Sequence, residues 1–365
     1  MRPTPKQYAN VYMEKIDILR LMRDNIRSLD PYSTARDEYQ GELGILLDAN
    51  ESPYGEGLNR YPSTALRSEL LGRLEAIKGI PSGALFLGNG SDECIDLCYR
   101  VFCRPGMDNA VMISPSYGMY KVCADVNDIE ARQVLLGEDF SIQTDDLLAA
   151  SDSNSRLLFI CSPNNPTANS FPESQIRTLL ENFPGMVVLD EAYADFSARG
   201  SLKKLLAEYP NLIILQTLSK AWGMAGLRLG IALADPQVVT IFNRVRYPYN
   251  IGTDTLRLAL DLLPAADLKA KVAEILKERG RMREALSKLP CLSEILPSDA
   301  NFFLVRTASP RKLYDFLLAR GIIVRDRSKS PLCGPALRIT VGTPEENDRL
   351  IKAITEYDSV QSTIC

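Results

Sequence analysis

NLIILQTLSKAWGMAGLRLG, residues 211–230, is the stretch on which the fold of this chain turns. Its first seven residues are mostly apolar, the pattern of a strand covered on both faces. The run empties into Ser219 and Lys220, then into Gly223, Gly226, Arg228 and Gly230. An ammonium at the end of a hydrophobic strand is poorly solvated, so its pKa falls and its amine becomes a nucleophile toward aldehydes. A lone lysine in such a place more often only snorkels outward. Four other segments weigh against that plain role.

MVVLDEAY (186–193) is another buried-strand pattern, ending in Asp190 with Tyr193 three residues on. A strand-end Asp is commonly a cap or a solvated loop group. Here it also meets the need of a pyridine cofactor, whose ring nitrogen must stay protonated to act as an electron sink. LFLGNGSDECIDLCYRVF (85–102) reads as a short strand, a Gly88-Asn89-Gly90-Ser91 turn, and a helix with Cys94, Leu97, Cys98, Val101 and Phe102 on its apolar face. Free amides at that helix start form an anion site, though GNGS alone is a weak signal. AVMISPSY (110–117) delivers Tyr117 to a strand end, and LLFICSPNNPT (157–167) delivers Asn164 and Asn165. Ligands of open α/β sheets bind beyond the carboxyl ends of the strands, so these groups converge. Amine, carboxylate, anion cradle, aromatic plate and amide together match one cofactor, pyridoxal 5′-phosphate.

TLSKAWGMAGLRLG, SPNNPT and VLDEAY jointly resemble the class I/II aminotransferases of fold type I, along almost the whole chain. Within that group LDANESP (47–53), RYP (60–62), PSYGMY (115–120), NFFLV (301–305), GIIVRD (321–326) and LRITVGT (337–343) resemble the histidinol-phosphate aminotransferases. The resemblance implies an α/β fold: a large domain with a mostly parallel seven-stranded sheet, and a smaller α/β C-terminal domain. It implies that Lys220 binds the cofactor covalently and then shuttles a proton, and that Asp190 faces the ring nitrogen. Tyr193 and Asn165 are expected to hydrogen-bond the ring oxygen, and Tyr117 to stack on the ring. The phosphate is expected among the amides of Gly90 and Ser91, with Asp92 nearby, the Ser219 hydroxyl and the Arg228 guanidinium. Tyr61 is expected to reach the cofactor of a neighbouring subunit, making the protein a homodimer.

Arg338 lies in an apolar strand (ALRITV), where an unpaired charge is costly and a guanidinium suits an anionic substrate. Arg325 is the second candidate, with an internal pair to the adjacent Asp326 as a serious competitor. Tyr32, in the Asp30-Pro31-Tyr32 turn, matches a lid residue near the substrate phosphate, or is an ordinary turn tyrosine. The substrates implied are L-histidinol phosphate and the glutamate/2-oxoglutarate pair. The competing readings are an aromatic amino acid aminotransferase, which shares the whole cofactor site, and a catalytically idle cofactor-binding scaffold. An idle scaffold predicts a lost lysine or a fused DNA-binding segment.

Composition adds exclusions. There is no histidine among the 365 residues, which removes Ser-His-Asp and Cys-His catalysis and histidine metal sites. The eight cysteines show no CxxC or zinc spacing, so no metal is expected and the thiols read as reduced, in a cytoplasmic protein. A net charge of −4 gives no basic footprint for nucleic acid. No apolar run approaches the ~20 residues that span a bilayer.

Three segments organise the chain: an arm and lid over 1–52 packing near the small domain, a cofactor-binding domain over 53–252, and a small domain over 253–365. An amphipathic helix with Leu19, Met22, Ile26 and Leu29 on one face opens the arm, and a long charged helix spans about 265–287. Two departures from the family pattern stand out. Ala168 follows NNPT where glycine is usual, which costs roughly 1 kcal/mol if the site needs a positive φ. Trp222, where phenylalanine is common, is expected near the edge of the site.

Overall fold

The computed structural model describes residues 17–32, 36, 44–55, 57–265 and 267–364. The remaining positions of the expected arm lie outside the described residues. A seven-stranded sheet carries the order β1-β7-β6-β5-β4-β2-β3, with β1 Leu85–Asn89, β2 Asn109–Ser114, β3 Glu130–Leu135, β4 Ser155–Cys161, β5 Met186–Asp190, β6 Leu212–Thr217 and β7 Leu229–Ala234. Only β7 runs against its neighbours. The continuous apolar runs follow from burial on both faces, with alternate residues entering two clusters. Leu85, Leu87, Val111, Ile113, Leu158, Ile160, Val187 and Leu189 pack on one side. Phe86, Ala110, Met112, Leu157, Phe159, Met186 and Val188 pack on the other. Edge strand β3 has only exposed and half-buried positions.

Because six strands point the same way, their carboxyl ends form one edge. The reversal of β7 puts its first residue at that edge, so Arg228, immediately before it, arrives where Lys220 and Asp190 do. The turn geometry is specific. Arg228 itself is left-handed (φ 51°), and a Cβ on Gly230 would stand 2.2 Å from the Gly90 carbonyl carbon and the Ser91 nitrogen. Glycine at 230 is therefore what lets β7 lie against the start of the helix Gly90–Phe102.

A second sheet, β10-β11-β9-β8, is antiparallel, with β8 Glu294–Ile295, β9 Phe302–Arg306, β10 Arg325–Asp326 and β11 Ala336–Thr340. Phe303, Val305, Leu337 and Ile339 face the helices Leu268–Leu286, Pro310–Leu318 and Pro344–Ile364. By strand alternation, the intervening Phe302, Leu304 and Arg338 face the other way, and Phe302 joins Tyr193 and Ala168 in a small cluster beside the large sheet.

Two details depart from the sequence expectations. The first helix is broken into Ile18–Leu21 and Asp24–Arg27. Its buried residues are Ile18, Leu21, Met22 and Ile26, while Leu19 and Leu29 are exposed. Residues 18–26 of the arm pack on the Gly90–Phe102 helix, where Arg23 N–H donates to Val101 O at 3.0 Å and its guanidinium to Arg100 O. The expected long helix is preceded by a separate one, Thr253–Ala265, whose Leu256, Ala259, Leu260 and Leu263 still join the large-sheet core.

Candidate active site

At the carboxyl edge of the large sheet lies a cavity of about 150 Å³. Nine of the residues singled out in the sequence line it: Ser91, Asp92, Tyr117, Asn165, Asp190, Tyr193, Ser219, Lys220 and Arg228. Asp190 is 3% exposed. Its carboxylate accepts from the Tyr120 hydroxyl at 2.7 Å and from the Ala192 N–H at 3.0 Å. Burial pushes its pKa up; the two hydrogen bonds and the charge of Lys220 oppose the rise. A buried carboxylate in this position gains from a cationic partner.

Lys220 opens onto the cavity, with Nζ 5.7 Å from the centre of the Tyr193 ring. The surrounding protein removes enough water to push its pKa down, and the like charges of Arg338 and Arg228 add to this against Asp190. The shift is in the direction of the neutral amine that a nucleophilic lysine requires. Tyr193, also pushed up by burial, accepts from Asn165 Nδ2 at 3.4 Å.

The anion cradle differs from expectation at one atom. Gly90 N–H donates to the Arg228 carbonyl at 2.6 Å, so it is not free for a phosphate. The contribution of Gly90 is its missing side chain: at φ +76° a Cβ there would stand 2.7 Å from Arg228 Nη2. The next helix amides, of Ser91 and Asp92, have no intrahelical acceptor and point to the N-terminal end. Asp92 accepts from the Tyr117 hydroxyl at 3.0 Å and pairs with Arg228 at 3.6 Å, tying the aromatic plate to the guanidinium.

Arg338 approaches the cavity by donating to Asn165 Oδ1 and lies over Phe302 at 5.4 Å. No carboxylate contributes to its pKa, which burial lowers. The internal ion pair considered for Arg325 is not formed among the described residues, where Asp326 turns to the Ser328 N–H at 2.8 Å instead, and Arg338 forms none there either. Two expected residues lie elsewhere in this single chain. Tyr61, 49% exposed, stacks on Tyr249 at 4.4 Å. Tyr32, 77% exposed, borders a separate cleft with Arg67, Arg244 and Arg246.

Sequence reasoning passed over Tyr120, which sits one helical turn beyond Tyr117 at the start of the helix Met119–Val126, and over Cys161, Ala192, Thr217 and Ala225 in the cavity wall. Tyr120 closes the PSYGMY stretch three residues after Tyr117, which lies ahead of the helix, and no local pattern marks it as the partner of Asp190. Trp222 is not at the edge of the site. It is 3% exposed in the large core, with Lys78 Nζ 5.6 Å from its ring centroid.

These donors fit pyridoxal 5′-phosphate: a buried acid for a pyridinium, an amine of lowered pKa for an aldehyde, and helix amides with a guanidinium for a phosphate. Comparison with known proteins points the same way. The family model for aminotransferase class I and II matches residues 46–354. The chain is 49% identical to a histidinol-phosphate aminotransferase of Parabacteroides distasonis, over 93% of this chain and 98% of that one. It is 44% identical to the Flavobacterium psychrophilum enzyme of the same name, over 94% and 99%. Among solved structures, the histidinol-phosphate aminotransferase of Clostridium acetobutylicum superposes with a TM-score of 0.75 at 23% identity, covering 83% of this chain and 91% of that one, a likeness of fold.

Proposed function

Since the chain belongs to the aminotransferase class I and II family, and within it to the histidinol-phosphate aminotransferases, we propose that the strand-end cavity is its active site and that each lining residue acts as follows. The reaction is reversible amino transfer between L-histidinol phosphate and 2-oxoglutarate, giving imidazole-acetol phosphate and glutamate. Pyridoxal 5′-phosphate, when bound, supplies an aldehyde that takes up the amino group and a protonated ring that accepts electrons.

The protein's part is positioning and proton transfer. Asp190 keeps the proton on the ring nitrogen, with Tyr120 holding the carboxylate in line. Tyr193 and Asn165 hydrogen-bond the ring oxygen, and Tyr117 covers one ring face. The Ser91 and Asp92 amides, the Ser219 hydroxyl and Arg228 hold the phosphate. Lys220 would hold the cofactor covalently through its side-chain nitrogen, and as a free amine it would accept the proton from the substrate Cα and, as the resulting ammonium, give it back. Arg338 and Arg325 grip the substrate's anionic group; Tyr32, at a separate cleft in its own chain, would have to move to close over it. Tyr61, which does not line the cavity of its own chain, serves the site of a second subunit in a cytoplasmic homodimer.

The observation that carries this reading is the meeting of Lys220, Asp190 and the amides of the Gly90–Phe102 helix around one cavity. Half-reactions of the holoenzyme with L-histidinol phosphate, phenylalanine and glutamate, followed by the absorbance change of the cofactor, test it. Turnover of histidinol phosphate and glutamate is expected. Conversion by phenylalanine alone would overturn it in favour of an aromatic amino acid aminotransferase.

A further inference from the structure

The smaller sheet carries a third guanidinium beside Arg338 and Arg325. Arg325 lies directly opposite Arg338 in the β10–β11 register, so the two side chains leave the same face. Arg327 is two residues beyond Arg325, and its N–H donates to the Ala336 carbonyl at 2.9 Å, which continues the ladder. By strand alternation its side chain leaves that face as well. This face is the one opposite the helix-packed Leu337 and Ile339. Burial pushes the Arg327 pKa down, and the like charges of Arg338 and Arg325 add to this.

Its own bonding is incomplete. Arg327 Nε is buried with no hydrogen-bond partner. Among the described residues neither Arg325 nor Arg327 forms an ion pair, and Asp326, on the opposite side of the strand, is occupied by Ser328. The polar partner of Arg338 is a neutral amide oxygen. Three guanidiniums without an acid among them repel one another, and a multiply charged anion relieves that repulsion most. A carboxylate brings one negative charge. A phosphate monoester near neutral pH brings about 1.5 to 2 and three acceptor oxygens.

We propose that Arg327 is a specificity-determining residue that contacts the substrate's phosphate, completing with Arg325 and Arg338 a three-guanidinium site that favours a phosphomonoester over a carboxylate. The inference rests on the reading that Arg338 and Arg325 hold the substrate anion, and it adds a residue to that site.

The test uses the holoenzyme and its Arg327→Gln and Arg327→Lys variants, comparing L-histidinol phosphate with unphosphorylated L-histidinol. A charge-assisted hydrogen bond lost to Gln lowers the ratio of kcat/KM between the two substrates roughly tenfold to a hundredfold. Arg327→Lys recovers part of that ratio, since lysine restores the charge without the planar fork. A purely structural residue would lower both substrates in parallel, and an unchanged ratio in Arg327→Gln overturns the proposal. Calorimetric titration of the holoenzyme with inorganic phosphate is the second readout, independent of turnover. Weaker phosphate binding in Arg327→Gln supports the proposal even if the wild type fails to use histidinol phosphate, which would count against the functional reading alone. Equal phosphate affinity in variant and wild type overturns it.

Discussion

Gly230→Ala puts the geometry of the anion cradle under the most direct strain. The added methyl would meet the Gly90 carbonyl carbon and the Ser91 nitrogen at 2.2 Å and the Gly90 oxygen at 2.5 Å. Ordinary contact begins at 3.4 Å, so either β7 or the start of the helix Gly90–Phe102 must retreat by about 1 Å. All three contacts are backbone atoms, which cannot swing aside as a long side chain would. A retreat of that size removes the Ser91 amide from hydrogen-bonding range of a phosphate. One charge-assisted hydrogen bond is worth about 1.5–3 kcal/mol, so affinity for pyridoxal 5′-phosphate should fall about tenfold to a hundredfold. The overpacked strand pair should also cost about 1–3 kcal/mol of fold stability. Titration of the apoprotein with cofactor, read by absorbance, gives the first quantity; urea unfolding followed by circular dichroism gives the second. Gly280→Ala is the control. Its methyl meets nothing within 4 Å in the middle of the helix Leu268–Leu286, so it should gain about 0.5–1 kcal/mol of stability and leave cofactor affinity unchanged. A folded Gly230→Ala protein with wild-type affinity would refute the reasoning.

Three further outcomes follow from particular contacts. Asp190→Asn should raise the melting temperature of the apoprotein while reducing turnover at least a hundredfold. Burial raises the folded-state pKa of Asp190, so its stability contribution is full below the unfolded value of ~3.9 and is lost as pH rises through the folded value. The advantage of Asn over Asp should therefore grow from pH ~4 toward neutrality, and thermal melts of both apoproteins across that range check it. Tyr120→Phe removes the 2.7 Å hydrogen bond to Asp190 and should lower kcat about tenfold with little change in KM for glutamate, measured by steady-state kinetics. Ala168→Gly should change stability by less than ~1 kcal/mol. Relief of the left-handed backbone at φ 66° is worth about 1–2 kcal/mol, against ~0.8 for the buried methyl and ~0.5–1 for the unfolded-state freedom of glycine. Urea unfolding reads the difference.

Much of this was legible in the sequence because the strands that carry the site are buried on both faces. Residues 186–189 and 212–215 declare themselves by unbroken apolar runs, with Asp190 directly after the first and Lys220 in the turn that follows the second. The positive φ at Ala168 was legible as a conditional, through the residue type usual at that position. What stayed hidden depends on contacts between distant segments. The capture of Gly90 N–H by the Arg228 carbonyl needs β7 to be antiparallel beside β1, which no local pattern states. The break between residues 21 and 24 puts Leu21 and Met22 inward and Leu19 outward, because the face is set by the Gly90–Phe102 helix it meets. Arg327 escaped notice because a guanidinium in a loop-flanked strand looks solvated until the register with Ala336 places it beside Arg325 and Arg338. Trp222 looked peripheral because it follows Lys220 closely, yet the turn sends it into the core.

The most direct measurement is mass analysis of peptides from holoenzyme reduced with hydride. Lys220, and no other lysine, should carry the reduced cofactor, and Lys220→Ala should carry none and have no turnover. A label on a different residue, or transamination persisting in Lys220→Ala, would contradict the assignment.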